Sequence, residues 1–270
     1  MDTARQWPFR LTGFKTMHHI RFLRLAFHVF LGLLTVLCVW PFLRASARMW
    51  SMQQFSEKLL RIVNVRVKAT WVDSKVQGPH VLYCNHVSWL DIFAINAVYP
   101  VIFIAKSEIA NWPIAGILAK KAGTLFIERG KRHAVRAVIT SAAQVLRTGG
   151  SVAVFPEGTT GTGQTTLPFH SNFVQAAIQA SVPLLPVSLQ FVDAQGCFSA
   201  QPAFVGEQTL MDNVRFLLNS REGFEVHLTF HTPLHVEGRT RHELSQHAQV
   251  VIEHSLNQGA MCAGGSAAST

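Results

Sequence analysis

His86 and Asp91 stand five residues apart in NHVSWLD, residues 85–91, directly after the apolar run VLYC. An imidazole with a nearby carboxylate makes a general base. The carboxylate holds one ring nitrogen protonated and leaves the other free to take a proton from a hydroxyl. The same spacing also suits a plain structural role, because Ser88-x-x-Asp91 approximates a helix capping box with Asp in place of Glu or Gln. A second cluster, FPEGTTGTG at 155–163, overlaps the end of the apolar run VAVF. Its glycines offer backbone N–H groups to an anionic oxygen, as an ordinary surface loop also would. Gly158 and Gly163 have the glycine spacing of a P-loop, but Gln164 stands where that loop requires lysine, so the nucleotide reading fails. Gly161-x-Gly163 lacks the third glycine of a dinucleotide fingerprint, and no Gly-x-Ser-x-Gly elbow occurs. Lys106 in IAKSEI and Arg129 in FIERG are lone cations. They suit phosphate, or equally an ion pair with Glu108 or Glu128.

Each of these groups follows a short apolar run that reads as a buried strand: VLYC (81–84), VIFI (101–104), TLFI (124–127) and VAVF (152–155). LLPVSL (184–189) is a fifth such run, and residues 65–71 and 224–230 alternate as half-buried strands, the latter expected to be the more exposed. Helical spacing separates them: Val135, Val138, Ile139, Ala142 and Leu146 form one face that Gly149-Gly150 stops. Residues 172–180 and a stretch around Leu244, Ala248, Val251 and Ile252 read as further helices. The alternation predicts an α/β fold, a mixed sheet flanked by helices, preceded by N-terminal membrane-associated helices. Ligands of such sheets gather beyond the carboxyl ends of strands, where the polar clusters fall.

The composition points the same way. The 270 residues carry a formal net charge of +9, yet only 14% are charged and 49% are hydrophobic. An ordinary soluble domain carries about 25% charged residues, so basic and oily together suggest an anionic lipid surface. Nucleic acid needs a solvated basic face, for which there is little sign, and none is expected as a partner. Residues 25–40 contain no Lys, Arg, Asp or Glu. A spanning helix needs about 20 apolar residues, which residues 20–43 reach only by including Arg21 and Arg24. A helix that dips into one leaflet and leaves both ends in the cytoplasm is the favoured expectation. Residues 48–63 follow as an amphipathic helix, with Met52, Phe55, Leu59 and Ile62 on one face. The four cysteines are scattered and no His-Glu-x-x-His occurs, so neither a disulfide framework nor a metal site is expected.

Taken in order across about residues 81–190, NHVSWLD, AKSEIANWPIAG, GTLFIERG, FPEGTTGTG and VPLLPV resemble the 1-acylglycerol-3-phosphate O-acyltransferase family, part of the glycerolipid acyltransferases. The resemblance implies an enzyme that moves a fatty acyl group from acyl-CoA or acyl carrier protein to a lysolipid hydroxyl, with no other cofactor. It implies that His86 deprotonates the hydroxyl and Asp91 orients His86. Arg129 with Glu157, Gly158 and Thr159 would hold the acceptor's glycerol and phosphate, Lys106 would support the same end, and Pro183 and Pro186 would shape the site. It also implies a membrane location, at the cytoplasmic face of the inner membrane. The expected organisation is a basic, membrane-associated helical segment over 1–64, an α/β acyltransferase domain over 65–256, and a disordered tail over 257–270. Lysophosphatidic acid is the leading acceptor. Thr160 stands where many members carry Arg or Ser, and with LPFHSN it also looks like acyltransferases that complete ornithine lipids from lyso-ornithine lipid. A catalytically silent membrane-binding protein is the reading from another class.

Overall fold

The computed structural model describes residues 15–74, 76–128, 130 and 132–259. The elements, in order, are α1 (Lys15–Leu34), α2 (Ala45–Ile62), β1 (Val65–Trp71), β2 (Val81–Cys84), α3 (Asp91–Val98), β3 (Ile102–Lys106), α4 (Ala115–Lys121), β4 (Leu125–Ile127), α5 (Arg132–Arg147), β5 (Val152–Val154), α6 (Val174–Ala180), β6 (Leu184–Val192), α7 (Leu210–Asn219), β7 (Phe224–Phe230) and α8 (Arg241–Gly259). The strands form one sheet in the order β1-β7-β6-β2-β5-β3-β4. β6, β2, β5, β3 and β4 run parallel, while β7 runs antiparallel to β6 and carries β1 parallel to itself. The sheet is therefore mixed, and the carboxyl ends of β2, β5, β3 and β4 share one edge.

Both faces are covered. Leu82, Cys84 and Phe103 pack with Leu59 and Leu60 of α2, Ile95 of α3 and Leu217 of α7. Val81, Tyr83, Ile104 and Val154 pack with Ile139 and Ala142 of α5, Ala177 of α6 and Leu244 of α8. β2 and β6 are buried along their whole length, which is why they read as continuous apolar runs. β7 departs from the expectation of a more exposed strand: it is interior to the sheet, and Val226, Leu228 and Phe230 are fully buried. The first three residues of the expected tail, 257–259, are helical, because α8 continues to Gly259. Residues 1–14 and 260–270 lie outside the described residues.

α1 and α2 form a hairpin, joined by a π-helical turn (Thr35–Val39) and a 3-10 turn (Trp40–Phe42). One stripe of α1 faces α2. His28 stacks on Phe55 with ring centroids 4.4 Å apart, and a Cβ on Gly32 would meet the Phe55 ring at 2.4 Å, so only glycine permits this approach. The opposite stripe, Leu23, Phe27, Phe30 and Leu34, is exposed. Arg21 donates to Leu218 O (3.1 Å) and Ser220 O (2.8 Å) at the end of α7, pinning the start of the hairpin to the α/β body.

His80, just before β2, is fully buried, with Nδ1–H donating to Gly78 O at 3.0 Å. Its Nε2 has no partner among the described residues. Burial holds this imidazole down to about 4, so the folded state binds fewer protons than the unfolded state between pH 6.5 and 4. The contribution is fully present above pH 6.5 and is lost as pH falls towards 4, at about 3 kcal/mol. We therefore expect His80→Leu to lose less stability than the wild type between pH 7 and pH 4.5. Denaturant titrations at the two pH values check this, and equal losses in both proteins would refute it.

Candidate active site

The site begins with Asn85, the first polar residue after VLYC, for which the sequence suggests no role of its own. Its side chain is buried, donating Nδ2–H to Leu189 O (2.9 Å) and accepting Leu189 N–H on Oδ1 (2.8 Å). This pair ties the end of β2 to β6 and fixes the direction in which the chain leaves the sheet. A lone Asn at a strand's end is the only sequence signal for it.

His86 follows, with its side chain 21% exposed, and its Nδ1 lies 2.8 Å from Asp91 Oδ2. Asp91 is fully buried at the first turn of α3, where the helix dipole favours a negative charge. The same Oδ2 accepts the backbone N–H groups of Val87 (2.7 Å) and Ser88 (2.9 Å). The capping and catalytic readings of Asp91 thus describe one atom. By reaching back to Ser88 N it caps the turn, and by accepting Nδ1–H it leaves His86 Nε2 as the free base. Asp91 Oδ1 has no partner among the described residues. The His86 ring stacks on Phe155 at 4.0 Å and 11°, and Phe155 stacks on Phe103, so rings from just beyond β2 and β5 and from within β3 lie in one row. This apolar bed fixes the imidazole plane.

Residues 156–170 form a loop closed at its neck by His170 N–H donating to Pro156 O at 3.0 Å. Tyr83 secures the neck from β2, its hydroxyl donating to His170 O (2.8 Å) and pairing with Ser245 Oγ of α8 (3.0 Å). Inside the loop Glu157 is 6% exposed and both its oxygens are used: Oε1 accepts His86 N–H (2.8 Å) and Oε2 accepts Leu167 N–H (3.0 Å). Burial pushes its carboxyl up to about 7, with Asp91 nearby adding to the rise, while the two N–H donors and His86 act in the opposite direction. Gly161 N–H donates to His86 O at 2.7 Å, and Gly163, at φ +83°, lies so close to Val87 that a Cβ would stand 2.9 Å from its methyl. The loop is therefore pressed against the His86 turn from both ends.

Of the expected site residues, His86, Asp91, Glu157 and Gly158 are brought together, and Thr159 lies exposed on the same loop. Lys106 ends β3, two strands from β2 on the same sheet edge, and is partly buried. Arg129 lies outside the described residues. Pro183 and Pro186 belong to the sheet rather than the site. Pro183 O accepts Val81 N–H at the opposite edge, and Pro186 pairs with Tyr83 inside the sheet. Thr160 donates its hydroxyl to Phe204 O, and Phe204 N–H donates to Val87 O (2.9 Å), so a segment before α7 straps the loop to the His86 turn. Cys84 sits beneath, where complete burial, with Asp91 and Glu157 adding, pushes its thiol well above the usual range and makes it a poor nucleophile. His227, His231 and His235 recur every fourth residue, a spacing that invites a metal reading, but among the described residues no group of three or more possible ligands gathers.

These features have relatives. An acyltransferase family model matches residues 61–190. A lyso-ornithine lipid O-acyltransferase of Pseudomonas aeruginosa is 36% identical over 178 residues, 66% of this chain and 68% of that protein. A 1-acyl-sn-glycerol-3-phosphate acyltransferase of Neisseria gonorrhoeae is 43% identical over 120 residues, 44% of this chain and about half, 47%, of that protein. In fold, the crystal structure of the 1-acyl-sn-glycerophosphate (LPA) acyltransferase of Thermotoga maritima matches with a TM-score of 0.63 at 21% identity, covering 92% of this chain and 100% of that one. With two thirds of the Pseudomonas protein matched at that identity, the chain belongs to the glycerolipid acyltransferase family that includes the 1-acyl-sn-glycerol-3-phosphate acyltransferases.

Proposed function

We propose that this protein transfers a fatty acyl group from acyl-CoA or acyl carrier protein to the free hydroxyl of 1-acylglycerol-3-phosphate, giving phosphatidic acid. The observation that carries the reading is the His86–Asp91 pair set against the closed loop 156–170. His86 Nε2 takes the proton of the acceptor hydroxyl as its oxygen attacks the thioester carbonyl. A carbon–oxygen bond forms, the tetrahedral intermediate collapses with loss of the carbon–sulfur bond, and the imidazolium returns its proton to the leaving thiolate. Asp91 stabilises the imidazolium while it exists. Lys106 and Arg129 would hold the acceptor phosphate beside the exposed Thr159, while Gly158, whose N–H is given to Phe155 O (3.1 Å), shapes the turn that presents it.

The hairpin supports a location on one face of a membrane. His19–Phe42 is long and apolar enough to cross a bilayer. However, Arg21 is tied to α7 and the end of α2 leads straight into β1, so the chain leaves and rejoins the body on one side. The exposed tip, Leu37, Val39 and Phe42, would enter one leaflet and leave the site on the cytoplasmic face, where thioester donors are made.

A second reading, acylation of lyso-ornithine lipid, is favoured by Thr160. Its hydroxyl is committed to Phe204 O, so the position supplies no charge to a phosphate. The longer match to the Pseudomonas protein supports the same reading. Purified protein offered lysophosphatidic acid, lyso-ornithine lipid and lysophosphatidylcholine in parallel, with labelled donors, separates them. Product from lysophosphatidic acid is the expected result. Product only from lyso-ornithine lipid would keep the chemistry and replace the acceptor, and no product from any would overturn the function.

A further inference from the structure

Between β3 and α4 the five residues Asn111–Ala115 are all exposed, and four of them are apolar. Trp112, Ile114 and, one residue into the next turn, Ile117 are 43%, 40% and 41% exposed. This is not a loose loop. Gly116 N–H donates to Trp112 O (3.0 Å) and Leu118 N–H to Ile114 O (2.9 Å), and a Cβ on Gly116 would stand 2.5 Å from Ala110 O. Ile114 is held at φ +57°, a conformation that strains a β-branched residue. Strain of this kind persists only where the surroundings impose it and gathers at functional positions. The fold thus presents a large apolar patch to the outside by construction.

We propose that this turn and the start of α4 form a second lipid-contacting element, seating Trp112, Ile114 and Ile117 among the headgroups of an anionic membrane beside α1. The proposal rests on the reading of the α1–α2 hairpin as dipping into one leaflet. Three observations favour lipid as the occupant. α4 touches α1, which bears an exposed apolar stripe of its own in Leu23, Phe27 and Phe30. Lys120 and Lys121 are exposed at the end of α4, and Glu108 is the only acidic residue between 107 and 121. This is the arrangement that draws a protein to anionic headgroups, with an aromatic ring at the interface. The element also follows the carboxyl end of β3, on the sheet edge that carries His86, so lipid contact here brings that edge to the surface from which a lysolipid arrives.

The test uses the full chain bound to vesicles of phosphatidylcholine and phosphatidylglycerol with brominated acyl chains. Subtracting the emission of Trp112→Phe from that of the wild type isolates the signal of Trp112. Quenching of that signal by bromine is expected. Replacing both lysines, Lys120→Gln with Lys121→Gln, should weaken partitioning into anionic vesicles by about thirty-fold, while binding to pure phosphatidylcholine changes little. A signal indifferent to bromine in membrane-bound protein overturns the proposal. So does a protein that binds no vesicles, or a Trp112 signal that responds only to added acyl carrier protein. Acyl transfer measured on the same preparations separates the two readings. An inactive protein with a quenched Trp112 would overturn the enzyme and leave the lipid contact, and an active protein with an unquenched Trp112 would do the reverse.

Discussion

His86→Ala lowers turnover by about 10² to 10⁴-fold, the range expected on removing a positioned general base, and leaves the protein folded. The fold survives because Asp91 Oδ2 keeps its bonds from Val87 N–H and Ser88 N–H when the imidazole is gone. Phe155 also remains stacked near Phe103. Asp91→Asn is the informative companion. All three donors converge on Oδ2 and none reaches Oδ1, so an asparagine that points its carbonyl oxygen at them still accepts Nδ1–H and leaves its NH2 in the unpartnered position. His86 then keeps its orientation but loses the negative charge that stabilises the imidazolium. Its rate should fall between those of the wild type and Asp91→Ala, which loses both. Initial rates with a saturating acceptor, beside thermal melts, check the series. An active His86→Ala would remove His86 from the chemistry.

The parts of this site that were legible in the sequence are those whose information is local. Apolar runs of four to six residues announced β2, β5 and β6 because buried strands need no polar face, and β3 and β4 although these are only partly buried. The polar residues after them were placed by the rule that ligands gather at strand ends. Strand order was not legible, since β1 and β7 pair across the whole length of the domain and neither carries a mark of its partner. α7 was missed although its signals are present. Thr209 caps it by accepting Asp212 N–H at 3.2 Å, and Val214, Leu217 and Leu218 have helical spacing. α4 is a different case: its seven residues show no inward apolar stripe, and the face with Ile117 looks outward. For Glu157 the residue type said carboxylate but not what it meets. A carboxylate in a glycine-rich turn can face a ligand or the chain's own amides, and only the folded loop shows both oxygens taken by His86 N–H and Leu167 N–H.

That arrangement predicts that Glu157→Gln is a kcat variant rather than an acceptor-binding one. A glutamine can accept one of the two N–H groups through its oxygen, but it turns an NH2 donor towards the other. One backbone donor is then left unsatisfied between the loop and the His86 turn. Misplacement of a catalytic group by about 1 Å costs about 10²-fold in rate, and we expect a loss of that size with the acceptor KM near that of the wild type. A raised KM with intact kcat would instead make Glu157 a substrate contact, as the family resemblance implies. Stability supplies an independent readout. With its carboxyl raised to about 7, folded Glu157 holds a proton that the unfolded chain releases above about pH 4.5. The folded state binds more protons in this window, so the contribution is fully present below pH 4.5 and is lost as pH rises through 7, at about 3 kcal/mol. This opposes the contribution of His80, whose stability rises with pH between 4 and 6.5. In the wild type Glu157 offsets only part of the rise where the windows overlap, because burial also holds the His231 imidazole down to about 4. Glu157→Gln removes the opposing slope and should therefore steepen the gain in stability from pH 4.5 to pH 6.5, whereas His80→Leu should flatten it, since His231 remains to balance Glu157. Denaturant titrations of both variants across it, read beside the kcat and KM of Glu157→Gln, test whether this carboxylate is held for the geometry of His86.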